Sequence, residues 1–119
     1  MRVHELTLMI GTNQPAALAR FYGDVLGLPR RTQSHDPVFE VAGSYIRILD
    51  HSGIHGPNGD PARMQINLFV DDVQSEWRRL RAEGVVFVRE PQAEPWGGLV
   101  ATITDPDGNY VQILEFMPR

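Results

Sequence analysis

The stretch GSYIRIL, Gly43 to Leu49, returns near the end of the chain as GNYVQIL, Gly108 to Leu114. In both copies a glycine, a small polar residue and a tyrosine lead into an alternating strand. A strand written twice means that the chain builds one supersecondary unit twice. The two copies differ mainly at Arg47 against Gln112, so the repeat also asks what an arginine and a glutamine do at matching points.

The elements around the two copies follow the same order. Leu6, Leu8 and Ile10 alternate with Glu5, Thr7 and Met9, the pattern of a strand with two distinct faces. Asn13 or Gln14 can cap a following helix, and Pro15 suits its first turn. Leu18, Phe21, Tyr22, Val25 and Leu26 form one apolar stripe at helical spacing, and Gly27 is placed to end it. PVFEVAG and YIRILD read as strands. Residues 51–63, HSGIHGPNGDPAR, are rich in Gly, Pro, Asn and Asp and read as a linker or long loop. The order then repeats. MQINLFVDD alternates as a strand. Asp72 can cap a helix that carries Val73, Trp77 and Leu80 on one face, and Gly84 can end it. VVFVRE and GLVATIT are strands, DPDG has the residue types of a turn, and NYVQILEF closes the set.

Each half thus reads strand, helix, then two or three strands. The fold expected is α+β, with two tandem βαβββ modules forming curved mixed sheets around a cavity. A single domain is expected over 1–119, with module one at about 1–50, the linker at about 51–63 and module two at about 64–119. A helix covers only one side of each sheet. Two halves can shield each other's open faces and leave a cavity between them. Pairing within one chain and swapping with a second chain satisfy the same buried faces.

Composition narrows the function classes. The 119 residues suffice for one modest core. No apolar run is long enough to span a bilayer and no charged-then-apolar leader is visible, so a soluble cytoplasmic protein without membrane partners is expected. With no cysteine, disulfides, thiolate nucleophiles and Cys-based zinc sites are excluded. The net charge of −4 argues against a nucleic-acid partner. Arg78, Arg79 and Arg81 read as a solvated helix face.

Four pieces, FYGDVLGL, NLFVDDV, PWGG and TDPDGNYVQILEF, together resemble the vicinal oxygen chelate superfamily of glyoxalase I, extradiol dioxygenases, bleomycin-resistance proteins and fosfomycin-resistance enzymes. The resemblance covers essentially the whole chain. It implies paired βαβββ modules and a homodimer. Function stays open, since the fold hosts isomerases, dioxygenases, transferases and pure binders. Catalytic members hold one divalent metal with His, Glu or Gln from the first and last strands of each half. Carried onto this chain, the last-strand position is Gln112, four residues after the DPDG glycine, where the family often has Glu. Its counterpart is Arg47. Gln65 stands where metal enzymes usually have His. The fourth position is Glu5 by the internal repeat, or Thr7 by counting back from FY; Glu5 is preferred because the first loop is the longer.

This quartet departs from the family's ligand set. Two amides and one carboxylate are weak donors for a divalent cation, and an arginine keeps its proton and repels the metal. No metal or other cofactor is therefore expected, with a divalent metal kept as the minority alternative. Arg47 is expected to stand in the metal's place, paired with Glu5 and bonded by Gln65 and Gln112. A register slip of one residue would instead turn it to solvent.

Met9, Tyr45, Tyr110 and Trp96 are the further candidates for lining the cavity, beside Thr7. Trp77 belongs to a helix stripe and to the core. Glu115 lies on the other strand face from Gln112 and is not counted as a ligand. Glu40 has no fixed direction. His51 and His55, four apart in a Gly- and Pro-rich loop, are not expected to form a metal site, and His4 points away from Glu5. No nucleophile triad, phosphate-cradling loop or nucleotide fingerprint is present, and no catalytic residue is nominated. The reading is a glyoxalase/bleomycin-resistance-like protein that binds a small, partly aromatic or apolar molecule. The alternative is a metal-dependent lyase, isomerase or dioxygenase. A subunit domain with a vestigial cavity is the third. The shape of the cavity rests with the loops at 29–38 and 51–63.

Overall fold

A computed structural model describes residues 1–31 and 35–116. The part of the 29–38 loop at 32–34 lies outside the described residues. The chain divides into two compact units, Met1–Gly56 and Pro57–Arg119.

The first unit holds β1 (Thr7–Thr12), α1 (Pro15–Arg20), a π-helical turn (Phe21–Val25), β2 (Val38–Val41) and β3 (Ser44–Asp50). Its sheet has the order β1-β3-β2. β1 runs parallel to β3, and β2 runs antiparallel to it. A parallel pair needs a crossover, and α1 with its π turn supplies one. The apolar stripe divides as its spacing implies. Leu18, Phe21 and Tyr22 are buried, and with Phe39, Ile46 and Ile48 they make this unit's core. The cap expected from Asn13 or Gln14 is absent. Gln14 holds the N-cap position without a side-chain bond, and the buried Thr12 accepts the Gln14 N–H instead. Ahead of β2 the third hairpin strand shrinks to a single bridge, Arg30 to Phe39.

Gly23 is required by packing. A Cβ there would lie 2.8 Å from Cε1 of Phe39, a ring with no room to retreat at 1% exposure. The β2–β3 hairpin turns in two residues, since Val41 pairs with Ser44. Ala42 and Gly43 both carry positive φ, at 47° and 84°. Both central residues of the tight hairpin turn need that region, which glycine adopts freely and alanine does not.

The second unit holds β4 (Ile66–Phe69), α2 (Val73–Ala82), β5 (Phe87–Ala93), β6 (Gly98–Thr104) and β7 (Tyr110–Phe116). Its sheet order is β4-β7-β6-β5, with β4 parallel to β7 and the other pairs antiparallel. Asp72 caps α2 by accepting the Ser75 N–H, and Gly84, at φ +85°, follows its end. Val73 and Leu80 bury the helix face; Ala101, Ile103, Val111 and Ile113 are buried in β6 and β7. Trp77 is half-buried under the Arg81 guanidinium, at 4.9 Å. The DPDG turn is a closed knot. Asp105, 3% exposed, accepts both the Asp107 and Asn109 backbone N–H groups and the Asn109 side-chain amide. No helix among the described residues is long and apolar enough to cross a membrane.

Glu115 sits on the helix side of β7. Its Oε1 accepts the Val73 N–H at 2.9 Å, so a carboxylate from the last strand holds the positive end of α2. Replacing Glu115 with Ala leaves that N–H without its partner. The expected loss is about 1–2 kcal/mol of unfolding free energy in urea titration. In the hairpin, Ala42→Asn puts a residue that tolerates positive φ into the strained position. Stability is expected to rise by roughly 1 kcal/mol on the same scale.

Candidate functional site

Strand parity decides what each sheet shows on the side its helix does not cover. In the second sheet Asn67 pairs with Gln112 and Phe69 with Leu114; Gln112 pairs with Thr102, Leu114 with Val100, and Phe116 with Gly98. All share one face. They surround a concavity of about 490 Å³ lined by Asn67, Phe69, Arg89, Glu94, Trp96, Val100, Gln112, Leu114 and Phe116. Val100 and Leu114 are buried and form its floor.

The walls are aromatic. Phe69 and Phe116 stack with centroids 4.9 Å apart at 17°, and Trp96 meets Phe116 edge-on at 5.9 Å and 77°. Such contacts contribute about 0.5–1.5 kcal/mol each beyond area burial. Yet Phe69, Trp96 and Phe116 remain 55%, 52% and 70% exposed. Gly98 fixes the tryptophan, because a Cβ at that position would fall within the Trp96 ring. The PWGG sequence thus seats an indole against bare backbone.

The polar groups are few. Gln112 donates weakly to the Thr102 hydroxyl, at 3.4 Å. Arg89 is tied down. Its Nε and Nη2 donate to Gln92 Oε1 at 3.2 and 3.0 Å, and its Nη1 forms an ion pair with Glu94.

In the first sheet Thr7 pairs with Tyr45 and Met9 with Arg47, so these four share the face away from the core. Arg47 does point out of the core, but its partner differs from the one expected. Its guanidinium donates to Asp36 Oδ2, at 2.6 Å from Nη2 and 3.2 Å from Nε. Glu5 instead accepts the Thr7 hydroxyl at 3.1 Å and lies 3.9 Å from Arg31. The reason is position along the ladder. Val38 is the β2 partner of Arg47, and Asp36 stands two residues ahead of it, whereas Glu5 precedes the paired part of β1. Arg31 covers the Tyr45 ring at 4.9 Å. Glu40 lies opposite Tyr45 and is exposed.

The ladders also settle the first-strand alignment. Ile46 pairs with Leu8 and its repeat counterpart Val111 pairs with Ile66. One residue earlier, Thr7 therefore corresponds to Gln65, and Glu5 does not. Gln65 precedes β4 and turns its amide N–H to the Ala62 carbonyl, at 3.1 Å. Asn67 takes the place beside Gln112. Tyr110 pairs with Thr104 at the opposite end of β7 from Phe116. His51 opens a turn in which its Nδ1 accepts the Gly53 N–H, and His55 follows that turn.

Of the sequence candidates, the second unit's concavity gathers Trp96 and Gln112. It adds Phe69, Phe116, Asn67, Arg89 and Glu94, which sequence reasoning missed. A signal existed for two of them. Phe116 lies four residues after Gln112, on the same face, and Phe69 lies four after Gln65.

Comparison with known proteins fits this geometry. The sequence model of the Glyoxalase/Bleomycin resistance protein/Dioxygenase superfamily matches residues 4–113. The chain belongs to that superfamily. Solved superfamily structures share its fold. A glyoxalase/bleomycin resistance protein/dioxygenase from Nocardioides superposes with a TM-score of 0.76 at 20% identity, covering 98% of this chain and 85% of that one. A lactoylglutathione lyase from Agrobacterium tumefaciens gives 0.73 at 19%, covering 97% and 95%. TioX from Micromonospora sp. ML1 gives 0.76 at 16%, covering 97% and 100%.

A divalent metal of the kind the superfamily's enzymes hold does not fit the residues present. Arg47 and Gln112 occupy the two last-strand positions, and a guanidinium is never a metal ligand. Asp36, the carboxylate nearest Arg47, is already in its ion pair. No group of three His, Cys, Asp or Glu residues among those described is arranged to hold an ion.

The seat of Trp96 is open to a direct test. Gly98→Ala must push the indole off the backbone and out of contact with Phe116. Tryptophan emission is expected to shift to longer wavelength, while the urea midpoint moves little because Trp96 is already half exposed.

Proposed function

We propose that this superfamily member binds a small organic molecule with a planar aromatic part on the open face of its second sheet, and works without a metal held by the protein. One observation carries the reading: three aromatic rings, Phe116 in contact with both Phe69 and Trp96, line a concavity while keeping half or more of their surface exposed. Exposed apolar surface of that kind marks interaction sites, and a planar ligand would cover it by stacking. The donor set supports the metal-free part, because it offers only weakly donating amides and a paired guanidinium that repels a cation. A homodimer belongs to the reading through the family resemblance. The exposed Leu6 and Met9 of the first unit are surfaces that a second copy would cover.

Quinoline and 2-methylnaphthalene, neutral planar probes, test it on chelator-stripped protein by heteronuclear NMR. Shifts are expected to gather on Phe69, Trp96 and Phe116. Trp96→Ala should weaken binding by about 3- to 10-fold, the loss of one aromatic contact. Shifts scattered over the surface, or affinity indifferent to Trp96, would overturn the site. A saturable rise in melting temperature with Zn²⁺, Mn²⁺ or Fe²⁺ would overturn the metal-free reading and favour the lyase, isomerase or dioxygenase alternative.

A further inference from the structure

The concavity has a charge character that narrows its ligand further. Among the described residues its lining contains one cation and one anion, Arg89 and Glu94, and they are paired with each other. Gln92 takes the remaining face of the guanidinium, so all three arginine nitrogens have partners. The Glu94 side chain is only 19% exposed, which shields the pair from outside competitors. An anionic ligand arriving here would have to break that arrangement and strand Glu94, and a cationic one would have to strand Arg89. Leaving either charge half-buried and unpaired costs more than a new surface pair returns.

What remains for recognition is neutral. Asn67 and Gln112 are ladder partners on adjacent strands, roughly 4.8 Å apart along the sheet, and their side chains line the concavity. Each carboxamide carries an N–H donor and a C=O acceptor. Two such groups side by side complement a ligand edge on which an N–H stands next to a C=O, as in a carboxamide or lactam. The aromatic walls take the attached ring. Resting on the binding function proposed above, we infer that the ligand class is an uncharged planar aromatic amide, and that Asn67 and Gln112 select it over the corresponding acid.

The ladder explains why this pair is placed for the task. Gln112 lies mid-strand in β7, braced on Thr102, and Asn67 is fixed beside it by the parallel pairing of β4. Neither needs the loops to be in position. The aromatic rings are held from the same strands, Phe69 from the end of β4 and Phe116 from the end of β7. Phe69 lies two residues beyond Asn67 along β4, about 7 Å, which matches the span from an amide to the far ring of a fused bicycle, and Phe116, four residues beyond Gln112, stacks on it.

A matched pair of probes decides the matter: quinoline-3-carboxamide and quinoline-3-carboxylate, titrated at pH 7 against the full chain, with unsubstituted quinoline as reference. The carboxamide is expected to bind about tenfold tighter than the carboxylate, in keeping with one to two net hydrogen bonds. Gln112→Ala should erase most of that preference, lowering carboxamide affinity by a larger factor than quinoline affinity. Glu94→Gln should free Arg89 and raise carboxylate affinity severalfold. Equal affinity for the two probes, or tighter binding of the carboxylate by wild-type protein, overturns the inference while leaving aromatic binding intact. Absence of binding by all three, quinoline included, overturns the binding function itself. The wild-type comparison needs no variant to fold. For the variants, preserved amide dispersion in the NMR spectrum shows that the loss is local.

Discussion

The parallel pairing of the first strand of each unit with its last is the constraint on which the rest depends. β1 lies against β3 and β4 against β7, each in unbroken register. A parallel pair cannot be closed by a tight turn, so the chain must cross over one face of the sheet. The crossover is α1 in one unit and α2 in the other. The helix buries one face, and the strands that return after it leave the opposite face without a helix of its own. Glu115 reinforces the arrangement in the second unit. Its carboxylate joins the last strand to the first turn of α2, so the helix start and the strand that carries Gln112 are held together.

Parity along those strands then sorts the side chains. In β7, Val111, Ile113 and Glu115 go to the helix, and Gln112, Leu114 and Phe116 go to the open face. In β3, Ile46 and Ile48 go to the core, and Tyr45 and Arg47 go out. The repeated sequence is the record of this sorting. Its leading glycines, Gly43 and Gly108, have nearly the same positive φ, 84° and 82°, at the turn that sets the register of the strand behind them. A single shifted residue at either turn would send the core side chains to the open face and the open-face ones to the core.

This regularity is why so much was legible beforehand. The two-unit α+β order, the capping of α2 by Asp72, the closing glycine at 84 and the separation of Glu115 from Gln112 all follow from local chemistry and a period of two. The legible part ends where position depends on a third strand or a loop. The sequence pairs Arg47 with Glu5 in the cavity, but in the structure its partner is Asp36, which comes from the segment before β2. No periodicity links residues 36 and 47; only the antiparallel register of β2 with β3 does. The same limit explains Glu5. The internal repeat with a longer first loop makes Glu5 the counterpart of Gln65, whereas the ladder makes it Thr7, because the two loops do not differ in length as that alignment assumes. Trp96 was visible as a motif residue. Its support by the missing side chain of Gly98, and its contact with Phe116, needed the fold of the turn at 94–98.

The difference between Arg47 and Gln112, the one real departure in the repeat, now has a physical content. Both stand at the same ladder position of equivalent strands. A guanidinium cannot shed its charge, so it draws a carboxylate to itself, and in the first unit that is Asp36. A carboxamide makes no such demand and remains available with both donor and acceptor. In the second unit the charges are moved off the central strands to Arg89 and Glu94, where they satisfy each other. The effect is one sheet whose outward polar group is held in an ion pair and one whose central polar groups are neutral and lie beside exposed aromatic rings. The binding function proposed above rests on that contrast, since a charged or metal-chelated substrate would call for uncommitted charge at the middle of the sheet. The repeat therefore carries its functional information less in what the two copies share, which builds the scaffold, than in the residue at which they part.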